Sequence, residues 1–204
     1  MFENKIEVLS KVLAGQTNIL IHPHNYPDPD AIAASAALKY FLNKEYQVES
    51  QIIYAGYIGR VENKALVQYL NKPLRLVRSS DWNLGLKIAL VDTQPGVGNN
   101  SLPVNRRADV VIDHHPMKTV FETGVYIDVR PELGASSTIL TEYLLEAGIE
   151  PTTKLATALF FGIKTDTMGL SRHASPSDIK AYFYLQQLID VDALVRIEQA
   201  QVPV

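Results

Sequence analysis

Four short segments of this chain gather carboxylates and imidazoles where apolar runs give way to loops. The first, His22-Pro23-His24-Asn25-Tyr26-Pro27-Asp28-Pro29-Asp30, holds two histidines and two aspartates in nine residues. Pro27 and Pro29 stiffen it, so the Asp28 and Asp30 carboxylates can converge on one centre. Asp30 could instead cap the helix that follows, but capping explains one acid and leaves the remaining acid and both imidazoles unexplained. The second segment, Leu90-Val91-Asp92-Thr93-Gln94, ends a strand in a single acid, a place that also suits an ordinary turn former. The third is Val110-Val111-Ile112-Asp113-His114-His115-Pro116. Adjacent loop residues point in different directions, so one ring can serve a metal and its neighbour a substrate, with Asp113 as a carboxylate partner. The fourth, Phe161 to Gly169, closes a helix around Asp166, and Arg172 and His173 follow it as groups suited to a phosphate.

Several carboxylates and a few imidazoles, with no thiol, suit hard or borderline divalent ions such as Mn²⁺ or Mg²⁺. Two such ions, spaced about 3.5–4 Å apart, clamp a transferring phosphoryl group. The composition narrows the field to this donor set. The 204 residues include no cysteine, which excludes thiolate metal sites, thiol catalysis and disulfide frameworks together. Of the five histidines, 22, 24, 114 and 115 fall in two segments read as strand-end loops, and His173 lies just past Asp166. Lys plus Arg number 19 against 22 Asp plus Glu, a formal charge of −3, which excludes a polybasic mode of nucleic-acid binding. No run approaches the roughly 18 apolar residues of a spanning helix, and the N-terminus lacks the uninterrupted apolar stretch of a signal peptide. A cytoplasmic protein is expected.

The elements that must position these residues follow from hydrophobic spacing. Ile6, Leu9, Val12 and Leu13 suit a first helix stopped by Gly15. Strands are expected at 18–22, 51–54, 74–77, 87–91, 110–112 and 125–127. Helices are expected at 30–42, 62–70, 135–145, 152–163 and 176–189. The glycine-containing loop 95–100 lacks P-loop and dinucleotide spacing and reads as a flexible loop. The stretch 191–204 reads as a helix running into an apolar, proline-containing exit, either a frayed terminus or a junction to a further domain. Short, nearly continuous apolar strands between helices predict an α/β three-layer domain, a mainly parallel sheet with helices on both faces. In such sheets ligands bind beyond the carboxyl ends of the strands.

The order Asp-x-Asp, strand-end Asp, Asp-His-His, Asp resembles the four motifs of the DHH phosphoesterase superfamily, from His24 to about Arg172. The run His24-x-x-Pro27-Asp28-x-Asp30-Ala31 and the run Ile112-Asp113-His114-His115 carry most of that likeness. Within the superfamily the chain looks most like the bacterial oligoribonuclease (nanoRNase) and phosphoadenosine phosphatase branch, sometimes labelled exopolyphosphatase-like. The resemblance implies one ion on His24, Asp28 and Asp92 and another on Asp30, Asp92, His114 and Asp166, with Asp92 bridging. The ions would be Mn²⁺, with Mg²⁺ or Co²⁺ as substitutes. His115 would face the scissile phosphate, Asp113 would support its neighbouring histidine, and Arg172 would contact phosphate. Gly134-Ala135-Ser136-Ser137 also matches, although helix capping is its simpler explanation.

Pro29 stands where many members have Gly, and Ala34-Ser35 where Gly-Ser is common. Members also continue into a second, substrate-binding domain with a Gly-rich, His-containing loop, so residues 1–204 are expected to be the catalytic domain alone. The implied activity is hydrolysis of phosphate esters in short oligoribonucleotides or adenosine 3′,5′-bisphosphate. Pyrophosphatase or polyphosphatase activity is the alternative. A single-strand exonuclease is disfavoured by the acidic balance, and a non-catalytic nucleotide-binding regulator by the completeness of the motifs. The expected partner is a short RNA or nucleotide, with no long duplex nucleic acid and no membrane, and a homodimer is the candidate assembly.

Overall fold

Six strands, the three central ones buried along almost their whole length, line up in one parallel sheet in the computed structural model, which describes residues 5–83, 85–118 and 123–201. They are β1 (Asn18–Pro23), β2 (Glu49–Tyr54), β3 (Leu74–Leu76), β4 (Lys87–Val91), β5 (Val110–Asp113) and β6 (Tyr126–Val129), in the order β3-β2-β1-β4-β5-β6. From β1 the chain steps outward to β2 and β3, then returns to the far side of β1 and steps the other way through β4, β5 and β6. That reversal falls between β1 and β4, and a crevice for ligand opens outside the carboxyl ends of the strands at such a point.

Seven α-helices are described: α1 (Lys5–Leu13), α2 (Pro29–Tyr46), α3 (Val61–Tyr69), α4 (Ser136–Glu146), α5 (Thr153–Asp166), α6 (Pro176–Gln186) and α7 (Val191–Glu198). The larger core joins their apolar faces to Ile19, Ile21, Ile52, Val91 and Ile112 of the sheet. α2 lies at its centre, and its buried alanines 31, 33, 34 and 37 let the neighbouring helices approach closely. The expected three layers are unequal. The second face buries Leu20, Ile53, Ile88, Leu90 and Val111 beneath Trp82, Leu86 and Leu102, and a 3-10 helix (Ser79–Asn83) with connecting loops covers it. Right-handed crossovers put α2 and α3 on one face, whereas the oppositely advancing β4-β5-β6 connections fall on the other. Among the described residues those connections carry no α-helix.

Two local expectations are corrected. The cap of α2 is Asp28, whose Oδ1 accepts from the Ala31 amide at 3.0 Å, with Pro29 in the first turn where a missing N–H costs nothing. Asp30 is therefore free for another role. His22, grouped also with the strand-end loop, lies in β1 as the strand expected at 18–22 has it, and its ring packs edge-on against Trp82 on the second face, 5.5 Å away. The Ser101 amide donates to Nε2 at 3.1 Å, so Nδ1 carries the proton and donates to the Ile53 carbonyl at 2.9 Å. Burial holds this ring below the ordinary histidine range, so it is a neutral core residue. No described helix is long and apolar enough to cross a membrane. Val202–Val204, the apolar exit foreseen after α7, lie outside the described residues.

Candidate metal centre

β1 and β4 pair in register to their ends, His22 opposite Leu90 and Pro23 opposite Val91, so the loops that follow start side by side. In the first loop His24 donates Nδ1–H to the Asn25 carbonyl at 2.8 Å. Its Nε2, which carries the lone pair when the ring is neutral, then faces Asp28 Oδ2 at 3.7 Å and Asp92 Oδ2 at 3.4 Å. Asp92 leaves β4 with φ 61°, a left-handed conformation uncommon outside glycine, held there as its amide donates to the Ile112 carbonyl at 2.8 Å. That turn buries its carboxylate at the middle of the site. Oδ1 accepts the Ser136 hydroxyl at 2.9 Å and lies 3.4 Å from His114 Nε2.

The other side is built from β5, α4 and α5. His114 Nδ1 lies 3.3 Å from the Leu133 carbonyl and donates to it, so in the neutral ring Nε2 is the nitrogen with a lone pair. That Nε2 is buried with no hydrogen-bond partner, 3.3 Å from Asp166 Oδ2 at the end of α5. Asp30 is fully buried, and its carboxylate accepts the Ser136 and Ser137 amides at 2.7 and 2.8 Å, so a residue of α2 closes the N-terminus of α4. Donor atoms of His24, Asp28 and Asp92 lie within 4.8 Å of one another, as do those of Asp30, His114 and Asp166. Asp92 stands between the two groups.

His115 is half exposed and donates Nδ1–H to Asp113 Oδ1 at 2.8 Å, which leaves Nε2 for the adjoining cleft. The histidine that Asp113 supports is thus His115, while the second nitrogen of His114 rests on the Leu133 carbonyl. Gln94 fixes the Asp113 carboxylate from the far side at 2.7 Å and receives the Lys118 amide on Oε1 at 3.0 Å.

The electrostatics show what the cluster lacks. Burial would lower His24, but Asp28 and Asp92 outweigh it and push the ring up to about 11. Burial likewise opposes charge on His114, yet Asp166, Asp92 and Asp30 raise it to about 10. Burial and the neighbouring Asp92 and Asp166 hold Asp30 well above the carboxylate range, and Asp166 is raised mainly by burial. The pocket therefore draws in positive charge. Two imidazole lone pairs, each with its far nitrogen held by a backbone carbonyl, face carboxylate oxygens across a gap that a proton or a cation must fill. Imidazole and carboxylate without thiolate is the donor set of Mn²⁺ and related divalent ions, so the residues fit such an ion.

All six expected ligand positions come together. The Gly134–Ser137 segment does not cap its own helix through a side chain; its amides hold Asp30 and the Ser136 hydroxyl holds Asp92. Ser136 and Gln94 were not foreseen in these roles. The loop 95–100, expected to be flexible, is tied by the Asn25 amide to the Asn99 carbonyl at 2.6 Å and by Asn100 to Gln94 at 2.8 Å. Two clefts, about 890 and 560 Å³, open on either side of the centre, and Asp28, Asp166 and Arg172 line both. Arg172 is exposed and donates to the Asp166 carbonyl at 2.9 Å.

Gly162 of α5 is fitted to this packing: a Cβ there would lie 2.5 Å from Ser137 Oγ and 3.1 Å from Asp30 Cα. Gly162→Ala is expected to lower unfolding free energy by about 1–3 kcal/mol, the usual cost of overpacking. Its metal affinity should fall with it as Asp30 is displaced. Urea unfolding and metal titration check this, and wild-type values in both would refute the close fit.

An uncharacterized protein of Methanocaldococcus jannaschii is 43% identical over 185 residues, covering 90% of this chain and 37% of that protein. A Streptococcus pyogenes protein named as a probable manganese-dependent inorganic pyrophosphatase is 30% identical over 156 residues, covering 74% of this chain and 49% of that protein. The crystal structure of an exopolyphosphatase-related protein from Bacteroides fragilis superposes with a TM-score of 0.76 at 19% identity, over 98% of this chain and 61% of that one. The chain thus spans half or less of the length of these two curated relatives. Residues 18–163 match the model for the N-terminal domain of the DHH family, and the chain belongs to that family.

Proposed function

We propose that this chain is a divalent-metal-dependent phosphohydrolase acting on phosphate esters of short oligoribonucleotides or on adenosine 3′,5′-bisphosphate. One observation carries the reading. The Asp92 carboxylate turns one oxygen to His24 and the other to His114, between two separate donor groups. In this reading His24, Asp28 and Asp92 hold one ion, and Asp30, Asp92, His114 and Asp166 the other. Mn²⁺ is the ion, in keeping with the manganese-dependent relative, and Mg²⁺ or Co²⁺ substitutes for it. When bound, the ions supply Lewis-acid stabilisation of the phosphoryl oxygens and acidify water.

The chain's own residues do the rest. Asp113 fixes the His115 ring and raises its affinity for a proton, so Nε2 faces the cleft as a donor over more of the neutral range. A phosphoryl oxygen or a departing ester oxygen placed there receives that proton. Arg172, between the two clefts, meets the phosphate as a second cation. Asp113 acts through His115 and is a positioning residue.

Inorganic pyrophosphate is the second reading, supported by the Streptococcus pyogenes relative. The Mn²⁺-loaded chain, and the full gene product where that is longer, should be assayed on dinucleotides, adenosine 3′,5′-bisphosphate and pyrophosphate. Turnover of a nucleotide substrate above pyrophosphate is expected, with a loss of more than about a hundredfold when the metal is chelated. Turnover of pyrophosphate alone would establish the second reading. Nucleotide binding without metal and without turnover would replace both by a regulator.

A further inference from the structure

The smaller cleft has a wall that the chemistry of the metal centre does not require. Tyr26, Tyr57 and Met168 line it and are 57%, 69% and 61% exposed, an apolar rim left open to water. The rim is built. Tyr26 holds φ 58°, donates its amide to the Ala55 carbonyl at 2.9 Å, and stands with its ring edge-on to Tyr57, 5.1 Å away. Its ring lies so close over Gly56 that a Cβ there would meet ring carbons at 2.5 Å. Met168 lines the same cleft, also in a left-handed conformation, with φ 49°.

The floor is polar and incompletely satisfied. Asn63, in the first turn of α3, is 5% exposed and donates weakly to the Pro27 carbonyl at 3.4 Å, while its Oδ1 has no partner. The α3 N-cap, Arg60, makes no side-chain cap, so the first-turn amides add positive potential beside it. Asp28, Asp166 and Arg172 continue from this cleft into the metal centre.

We infer that the Tyr26–Tyr57–Met168 cleft is a nucleoside subsite, in which a base stacks on Tyr57 and Met168 over the unmet acceptor of Asn63. The attached phosphate then reaches Arg172 and the centre. The inference rests on the phosphohydrolase reading and narrows its substrates. Inorganic pyrophosphate has no face to lay on two tyrosines, whereas every base does, and aromatic stacking tolerates different bases.

The test compares AMP with inorganic phosphate by calorimetric titration of the Mn²⁺-loaded chain, in wild type, Tyr57→Ala and Tyr57→Phe. AMP is expected to bind at least about tenfold more tightly than phosphate in wild type and in Tyr57→Phe. Tyr57→Ala should lose that advantage with phosphate affinity unchanged. The exposed position of Tyr57 keeps the fold out of the comparison. Equal affinities in wild type, no AMP binding, or an AMP preference that survives Tyr57→Ala would overturn the subsite. A Tyr57-dependent AMP preference without hydrolysis of any substrate would uphold the subsite and remove the hydrolase reading. Hydrolysis of pyrophosphate with no AMP preference would do the reverse.

Discussion

Asp92→Asn is expected to lower turnover by at least about a thousandfold in a chain that still folds. Asparagine is the substitution that separates charge from shape here. It tolerates the left-handed φ of 61°, and its Oδ1 can still accept the Ser136 hydroxyl. Its other terminus is an amide that donates, and with Oδ1 kept on Ser136 it would face His24 Nε2, where a carboxylate oxygen now lies 3.4 Å away. One substitution thus takes the carboxylate charge from both donor groups and an oxygen from the one that holds His24. Asp166→Asn touches the second group alone, so it should cost less and spare one ion. Metal content, kcat and thermal unfolding should be measured on the same preparations. Full metal occupancy with turnover within tenfold of wild type would remove Asp92 from the bridging position.

The single-residue features of the site were legible because parallel strands are apolar on both faces and stop abruptly. An acid after Leu90-Val91, or an acid and two imidazoles after Ile112, has no packing reason to be there. What spacing cannot show is which strand ends meet. The adjacency of β1 and β4 depends on a long-range pairing, and without it His24 and Asp92 remain unrelated. Ser136 reads from spacing as no more than a helix start for the same reason, since its contact with Asp92 crosses from α4 to the end of β4. His22 sits in a run that also reads as loop, yet it lies in β1 on the same face as Leu20 and meets Trp82, whereas His24 lies past the end of the strand at Pro23, where the chain has left the pleat and the ring turns to the centre. α2 outlasts its expected end at Leu42 because Tyr46 packs edge-on to Phe41 and donates to the Ile6 carbonyl at 2.6 Å. Tertiary contacts override a boundary that local spacing puts earlier. The tyrosine cleft had no signal at all, because an exposed aromatic is recognisable only once the surface exists.

Metal loading at pH 7 is expected to release about one proton from each of His24 and His114. His24 and His114, at about 11 and about 10, are both protonated in the metal-free chain at that pH, and a ligating ring must be neutral. Each donor group contains one of them, so the apparent affinity for each ion should rise about tenfold per pH unit from pH 7 to 9. Calorimetry in buffers of different ionisation enthalpy counts the protons directly. Release of none, or affinity flat with pH, would mean the rings do not ligate. The same displacement fixes the sign of the stability profile. Both histidines bind protons more tightly folded than unfolded, so their contribution is complete below the unfolded value of about 6.5 and is lost as pH rises toward 10 and 11. Asp28 and Asp113, held below the ordinary carboxylate range, act in the opposite sense, but only in acid, where protonating them removes their share. Between pH 7 and 9 the metal-free chain should therefore lose stability, by at most about 1.4 kcal/mol per pH unit for each ring. The metal-loaded chain should hold its stability over the same range, because the rise in metal affinity of about tenfold per pH unit offsets what the metal-free pocket loses.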